Sequence, residues 1–130
     1  MSVELELPGS LDSLPSRVEK PWGHELIWAN NRHYAGKILH VRAGHRLSLQ
    51  YHERKHETLM VLSGRVRMTL STPGGELVYV DAPAGQVFEV APGRVHRIEA
   101  IETSEMLEVS TPELDDVVRL SDDYGRSDED

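Results

Sequence analysis

Gln50, His52 and Glu57 stand in the spacing Q-x-H-x4-E, and six further residues lead to Gly64. His96 lies downstream, at the end of the turn APGRVH (residues 91–96). Two imidazoles, one carboxylate and one amide oxygen form a ligand set for one borderline divalent metal ion, and Zn, Mn, Co, Ni and Fe(II) all suit it. Strands must bring these side chains together. Gln50 and His52 are two apart and leave the same face of a β-strand. Glu57 follows the polar turn 53–56 and opens the apolar run 58–62, so a hairpin would return it beside the first two. A histidine on a strand is ordinarily a surface or satisfied core residue, and seven histidines in 130 residues make chance pairs common. The glycines argue for more. Gly44 and Gly64 bracket one strand–turn–strand unit, and Gly85 and Gly93 frame a second that contains His96. Two such units, each offering inward polar side chains, do not describe a solvated face.

These two units resemble the two motifs of the cupin superfamily. The first, G-x5-H-x-H-x4-E-x6-G, fits Gly44 to Gly64 with Gln50 in the place of the first histidine. The second, G-x5-P-x-G-x2-H-x3-N, fits Gly85, Gly93 and His96, with Ala91 replacing the proline and Ala100 the asparagine. More narrowly, the chain resembles the cupin domain that ends the type II phosphomannose isomerase/mannose-1-phosphate guanylyltransferases. The matching pieces are KPWGHE (20–25), AGHRLSLQYH (43–52), VLSGRVRM (61–68), HRIEA (96–100) and LEVSTPELDDVVRLSDDYGR (107–126). The resemblance covers about residues 18 to 126. It implies an all-β jelly roll, the double-stranded β-helix of cupins, and a metal ion held by Gln50, His52, Glu57 and His96.

Composition frames this reading. At 130 residues the chain is one domain with room for a core. A net charge of −8 argues against nucleic acid or an anionic membrane as partner. There is no cysteine, which excludes disulfides and thiolate zinc sites and suits a reducing cytosol, so a cytoplasmic location is expected. The acidic start MSVELELPGS does not read as a signal peptide, and no segment approaches the ~20 apolar residues of a membrane span.

Residues 1–16 read as an arm, 17–120 as the barrel, and 121–130 as an acidic tail that frays. Short β-like runs fall near 25–29, 34–42, 46–52, 58–63, 65–71, 77–81, 86–90, 95–101 and 105–110, separated by turn residues. In the hairpin turn STPGGE (71–76), Gly74 and Gly75 are expected at positive φ. One helix is predicted, over about 113–119. Thr111 would cap it, Pro112 suits its first position, and Glu113, Asp115 and Asp116 favour its positive end.

Alternation assigns faces. Arg46, Ser48, Gln50 and His52 share one side of their strand, and Leu47, Leu49 and Tyr51 the other. Glu57, Leu59 and Val61 face in, and Thr58, Met60 and Leu62 face out. With the metal side inward, Leu47, Leu49, Tyr51, Met60 and Leu62 form an exposed apolar patch that needs a cover. A homodimer through this sheet is expected, the chain's own N-terminal strand being the alternative. Trp22 reads as a packing anchor, and His24 and His45 as solvent-facing. His56 points away from the metal, Arg54 and Lys55 read as a solvated turn with phosphate binding as the alternative, and Arg97 points outward. Tyr124 and Arg126 either pin the tail or reach the barrel mouth. Lys37 shares a face with Leu39 and Val41. An inward lysine is costly without a partner, which makes Lys37 the candidate for substrate charge or proton transfer.

A divalent ion with open positions polarises a carbonyl and an adjacent hydroxyl together. An aldose–ketose isomerisation through a cis-enediol needs this, with a base moving the proton between C1 and C2. The resemblance implies mannose 6-phosphate and fructose 6-phosphate as the substrate pair, with Lys37 and Glu57 as catalytic candidates and a metal-bound water as the alternative proton shuttle. No guanylyltransferase half accompanies the cupin segment, so no nucleotide chemistry is expected. Two other readings stay open. One is a non-catalytic sugar-binding sensor. The other is an Fe(II) dioxygenase, whose sites usually carry more histidine than Gln50 allows.

Overall fold

The computed structural model describes residues 14–128 and contains eleven strands. They are β1 (Ser16–Lys20), β2 (Gly23–Asn30), β3 (Ala35–Val41), β4 (Leu49–Tyr51), β5 (Glu57–Ser63), β6 (Arg65–Ser71), β7 (Leu77–Pro83), β8 (Val87–Val90), β9 (His96–Ala100), β10 (Ser104–Ser110) and β11 (Val118–Ser121). A six-stranded sheet runs β1-β2-β3-β10-β5-β8, and a five-stranded sheet runs β11-β4-β9-β6-β7. Every pairing is antiparallel. The fold is the all-β jelly roll expected, with the inner faces of the two sheets making one core. Trp22, Leu39, Val41, Leu59, Val61, Val66, Met68, Ile98 and Met106 lie in it, each at most 3% exposed. Burying an aliphatic side chain of this size contributes ~1.5–3 kcal/mol, so the alternating strands hold the barrel shut without help from disulfides. Trp22 is the packing anchor expected of PWG.

Gly64 shows why the motif needs a glycine. Its φ is +86°, and a Cβ there would lie 2.5 Å from the Thr103 carbonyl oxygen. In the 71–76 turn only Gly75 takes positive φ, at +87°. Gly74 does not, because a turn closed by Gly75 N–H on Thr72 O (2.8 Å) needs one left-handed residue rather than two.

Several expectations are corrected. No helix forms over 113–119; those residues make tight turns and then enter β11. The Thr111 hydroxyl accepts the His56 backbone N–H (3.0 Å) instead of capping a helix. The Asp116 carboxylate accepts the backbone N–H groups of Glu53, Arg54 and Lys55 at 3.0, 2.7 and 2.8 Å. Tertiary hydrogen bonds thus consume the groups that signalled a helix. Strand 46–52 is also interrupted. Arg46 bridges Glu99, whereas Gln50 pairs with His96, so the register slips by one residue between them. Alternation fails across that slip, and Leu47 is buried in the core rather than outward. β4 and β5 lie in different sheets, so Leu49 and Tyr51 do not share a patch with Met60 and Leu62.

β1 and β11 were not foreseen. β1 begins within the expected arm, most of which lies outside the described residues. The tail does not fray as far as 128. β11 pairs with β4, Tyr124 packs against the core, and Asp128 N–H reaches Arg119 O at 2.8 Å.

Candidate metal centre

The candidate ligands meet across the barrel, not within a hairpin. His52 follows β4 and His96 opens β9, both on the five-stranded sheet. Glu57 opens β5 on the six-stranded sheet, and the loop 53–56 crosses between the two. One Glu57 carboxylate oxygen, Oε1, lies 3.4 Å from His52 Nε2 and 3.2 Å from His96 Nε2. The three side chains are each 3% exposed.

The hydrogen bonds fix what these nitrogens can do. His52 Nδ1 lies 2.6 Å from the Asp116 carbonyl oxygen, and His96 Nδ1 lies 2.9 Å from that of Arg94. A carbonyl only accepts, so each Nδ1 carries the hydrogen and each neutral ring presents a bare lone pair at Nε2. Both Nε2 atoms are buried without a hydrogen-bond partner. Two lone pairs and a carboxylate oxygen thus converge on one point, an arrangement that repels itself unless a cation occupies it. Burial works against ionisation of Glu57, yet donation from an imidazole in its protonated form and the Lys55 ammonium hold its carboxyl well below the usual range. The cluster could hold a divalent metal ion.

Gln50 lines the same cavity. Its amide oxygen accepts the Ser48 hydroxyl at 2.6 Å, and its backbone pairs with that of His96. The cavity holds about 240 Å³, enough for a small polar ligand. Lys37 points into it and donates to Glu25 at 3.2 Å; the two side chains are 7% and 14% exposed.

Other side chains around the site differ from expectation. Lys55 is not in a solvated turn: it is 4% exposed, 3.1 Å from Glu57 Oε2 and 2.9 Å from Glu108 Oε2. The crossing of the loop between sheets buries it, and nothing local in the sequence signals that. Glu108 is fully enclosed, and burial followed by the Glu57 charge pushes its carboxyl up, against the pull of Lys55 and Lys37. Alternation could have found it, since Met106, Glu108 and Ser110 share the inner face of β10. Glu25 shows the same signal on β2. Arg97 does not lie outward as expected: it borders the cavity and is 9% exposed, with its guanidinium donating to the carbonyls of Leu47 (2.9 Å) and Ser121 (3.1 Å). His56 points away from the site, paired with Glu89 at 2.7 Å. His24 and His45 are half-buried rather than free in solvent: His24 stacks on His40 and His45 on Tyr124. Arg126 pairs with Asp122 and also lines the cavity.

Known proteins resemble this chain in sequence and fold. The family model described as mannose-6-phosphate isomerase C-terminal matches residues 10–122. The mannose-1-phosphate guanylyltransferase ManC of Salmonella typhimurium is 33% identical over 115 residues, covering 84% of this chain and 23% of that protein. The chain thus spans about a quarter of the length of that relative. Among solved structures, Bacillus subtilis oxalate decarboxylase, studied for its Mn(II) centres, superposes with a TM-score of 0.69 at 25% identity, over 85% of this chain and 30% of that one. KdgF from Halomonas sp. gives 0.65 at 20% identity, over 77% of this chain and 88% of that one. The chain belongs to the mannose-6-phosphate isomerase C-terminal family and has the cupin fold.

Proposed function

We propose that this chain is a metal-dependent sugar-phosphate aldose–ketose isomerase, with mannose 6-phosphate and fructose 6-phosphate as its substrate pair. The observation that carries the reading is the convergence of His52 Nε2, His96 Nε2 and Glu57 Oε1 inside a cavity, in a chain of this family. His52, Glu57 and His96 would hold the ion, with the Gln50 amide oxygen as a fourth ligand. A divalent ion bound there polarises a sugar carbonyl and the neighbouring hydroxyl.

The remaining roles fall to the chain itself. Lys37 and Glu25, hydrogen-bonded on the opposite wall, make a proton-transfer pair. The pair would take the proton from C2 of the aldose while a proton is delivered to O1, giving a cis-enediol, and would return a proton to C1 as O2 gives up its own and becomes the ketone. Lys55 holds Glu57 Oε2, so that Oε1 stays turned to the imidazoles. Lys20 and Arg119 line the cavity and make no side-chain hydrogen bond or ion pair among the described residues, which suits them to a phosphate. The Cys-free composition suits a reducing compartment, and the cytoplasm is the location this reading proposes. No helix of the described residues is long and apolar enough to cross a membrane.

The donor set of two histidines and one carboxylate also suits Fe(II) and oxygen chemistry. Proton NMR of the metal-loaded protein with mannose 6-phosphate in D2O separates the readings. Fructose 6-phosphate formation, or deuterium entry at C2, abolished by chelator and by His52→Ala, supports the isomerase. Oxygen uptake with Fe(II) would support the oxidase. Binding of the sugar phosphate without turnover or exchange would make the chain a sensor.

A further inference from the structure

Isomerisation of an aldose to a ketose moves two protons. One passes from C2 to C1, and the other from O2 to O1. The Lys37–Glu25 pair serves the carbons in this reading, which leaves the oxygens without a carrier. Among the described residues, most titratable groups of the cavity are engaged. His52, Glu57 and His96 converge on the metal position, and Lys55 is held by Glu57. The other basic groups are lysine and arginine cations, suited to an anion, and Asp115 is exposed to solvent.

Glu108 is the acid left over. It stands on the inner face of β10, lines the cavity and is 4% exposed. Lys37 on β3 lies directly across the ladder from it. On the other side of β10, Glu57 of β5 faces Ser110, so Glu108 and Glu57 are diagonal neighbours with Cα atoms ~7–8 Å apart. The carboxyl therefore lies between the pair that serves the carbons and the ligand that marks the metal. Lys55 does not account for it, since Glu57 already neutralises that ammonium. Glu108 Oε2 is 2.9 Å from Lys55 Nζ but is not aligned with it for a hydrogen bond, which leaves a buried acceptor to spare. Burial, then the Glu57 charge, pushes the carboxyl up against the pull of Lys55 and Lys37, so it holds a proton readily.

We propose that Glu108 is the catalytic acid–base residue that carries the proton between O2 and O1 of the substrate, an inference that rests on the isomerase reading. As the C2–H bond breaks toward the Lys37–Glu25 pair, its electrons form the C1–C2 double bond and the carbonyl π electrons move onto O1. O1 takes the Glu108 proton, which gives the cis-enediol and a Glu108 carboxylate. The carboxylate then takes the proton from O2. The O2–H electrons form the C2 carbonyl, and the C1–C2 π electrons take a proton from the Lys37–Glu25 pair at C1. Both protein groups end as they began, so the cycle needs no outside acid or base. O1 and O2 sit on adjacent carbons, within the span of one carboxyl group.

The test runs the D2O experiment on wild type, Glu108→Gln and Glu108→Asp, each loaded with divalent metal. Glu108→Gln keeps the size of the side chain and an acceptor for Lys55, but carries no carboxyl proton. It should slow fructose 6-phosphate formation by ~10²–10⁴-fold. Deuterium should still enter C2 of mannose 6-phosphate, because Lys37 and Glu25 handle that proton, so the ratio of exchange to turnover rises. Damage to the fold or the metal site would lower both together. Glu108→Asp keeps a carboxyl and should recover part of the turnover. Metal affinity by calorimetry and the urea midpoint of Glu108→Gln should stay near those of wild type. Turnover in Glu108→Gln within ~3-fold of wild type overturns the proposal and leaves the isomerase reading standing. So does an equal loss of exchange and turnover with metal affinity intact. If Glu108→Gln does not fold, the ratio is read on Glu108→Asp, and an unchanged ratio overturns the proposal. A wild type that neither turns over nor exchanges with any divalent metal overturns this inference and the isomerase reading together.

Discussion

Replacing Lys55 by Met tests the buried charges beside the metal centre. Lys55 Nζ sits 3.1 Å from Glu57 and 2.9 Å from Glu108, and the three side chains are 4%, 3% and 6% exposed. At an effective dielectric of ~20, each contact at ~3 Å is worth about 5 kcal/mol of attraction, most of it offset by desolvation. Removing the cation leaves two carboxylates without a neutralising partner, which costs ~3–5 kcal/mol. That is a large part of the ~5–15 kcal/mol that stabilises a domain. Urea unfolding of the metal-free protein should show this loss, with a melting temperature lower by roughly 10–20 °C. The double variant Lys55→Met/Glu108→Leu removes the orphaned acid and should recover more than half of it. Bound divalent metal gives Glu57 a new partner, so the deficit shrinks when the protein is loaded. Glu108 is already pushed up by burial and then by Glu57, and losing Lys55 raises it further. A raised folded value contributes stability at low pH that is lost as pH rises, so the single variant is least impaired in acid. A Lys55→Met protein within ~1 kcal/mol of wild type, or a double variant weaker than the single, would refute the triad.

Three other outcomes follow from the geometry. Asp116→Ala removes the acceptor of three backbone N–H groups and loosens the carbonyl that orients His52, so stability falls by about 2–3 kcal/mol and metal affinity by 10–100-fold, read by calorimetry. Burial opposes ionisation of Asp116, but those N–H groups hold it below the usual carboxylate range. Its contribution is therefore present above pH ~3.9 and lost as pH falls through the folded value, and Asp116→Ala should flatten the acid limb of the stability curve. Divalent metal at ~100 times its dissociation constant should add ~2.7 kcal/mol, a rise of roughly 8–11 °C by scanning calorimetry that chelator reverses and His52→Ala abolishes. Gly64→Ala combines a positive-φ penalty with a backbone clash at Thr103 and should cost ~3–4 kcal/mol in urea unfolding.

Fold class and most of the site were legible because both depend on short-range patterns. Period-two alternation placed Glu57, Leu59 and Val61 inward and Met60 and Leu62 outward, as found. The glycines framed the motif loops because those turns need conformations that other residues avoid, and Gly64 also leaves room for Thr103. Lys37 was readable as an inward charge, and the structure supplies Glu25 as its partner. Glu25 and Glu108 carry the same alternation signal.

The sequence by itself determined most of the strands and turns, and which side chains the uninterrupted strands present inward, since these follow from backbone geometry over two to six residues. Only the tertiary structure decided how distant groups meet. The Asp116 carboxylate and the Thr111 hydroxyl bond to the 53–56 loop, so a sound local helix signal yields turns and a strand instead. A one-residue slip between Arg46 and Gln50 turns Leu47 into the core. The loop that crosses between sheets buries Lys55 and sets Glu57 against histidines from the opposite sheet. Those outcomes rest on contacts between residues tens of positions apart. Hydrogen bonds and buried charges at such contacts outweigh the few tenths to one kcal/mol of a local preference, and no local pattern encodes them.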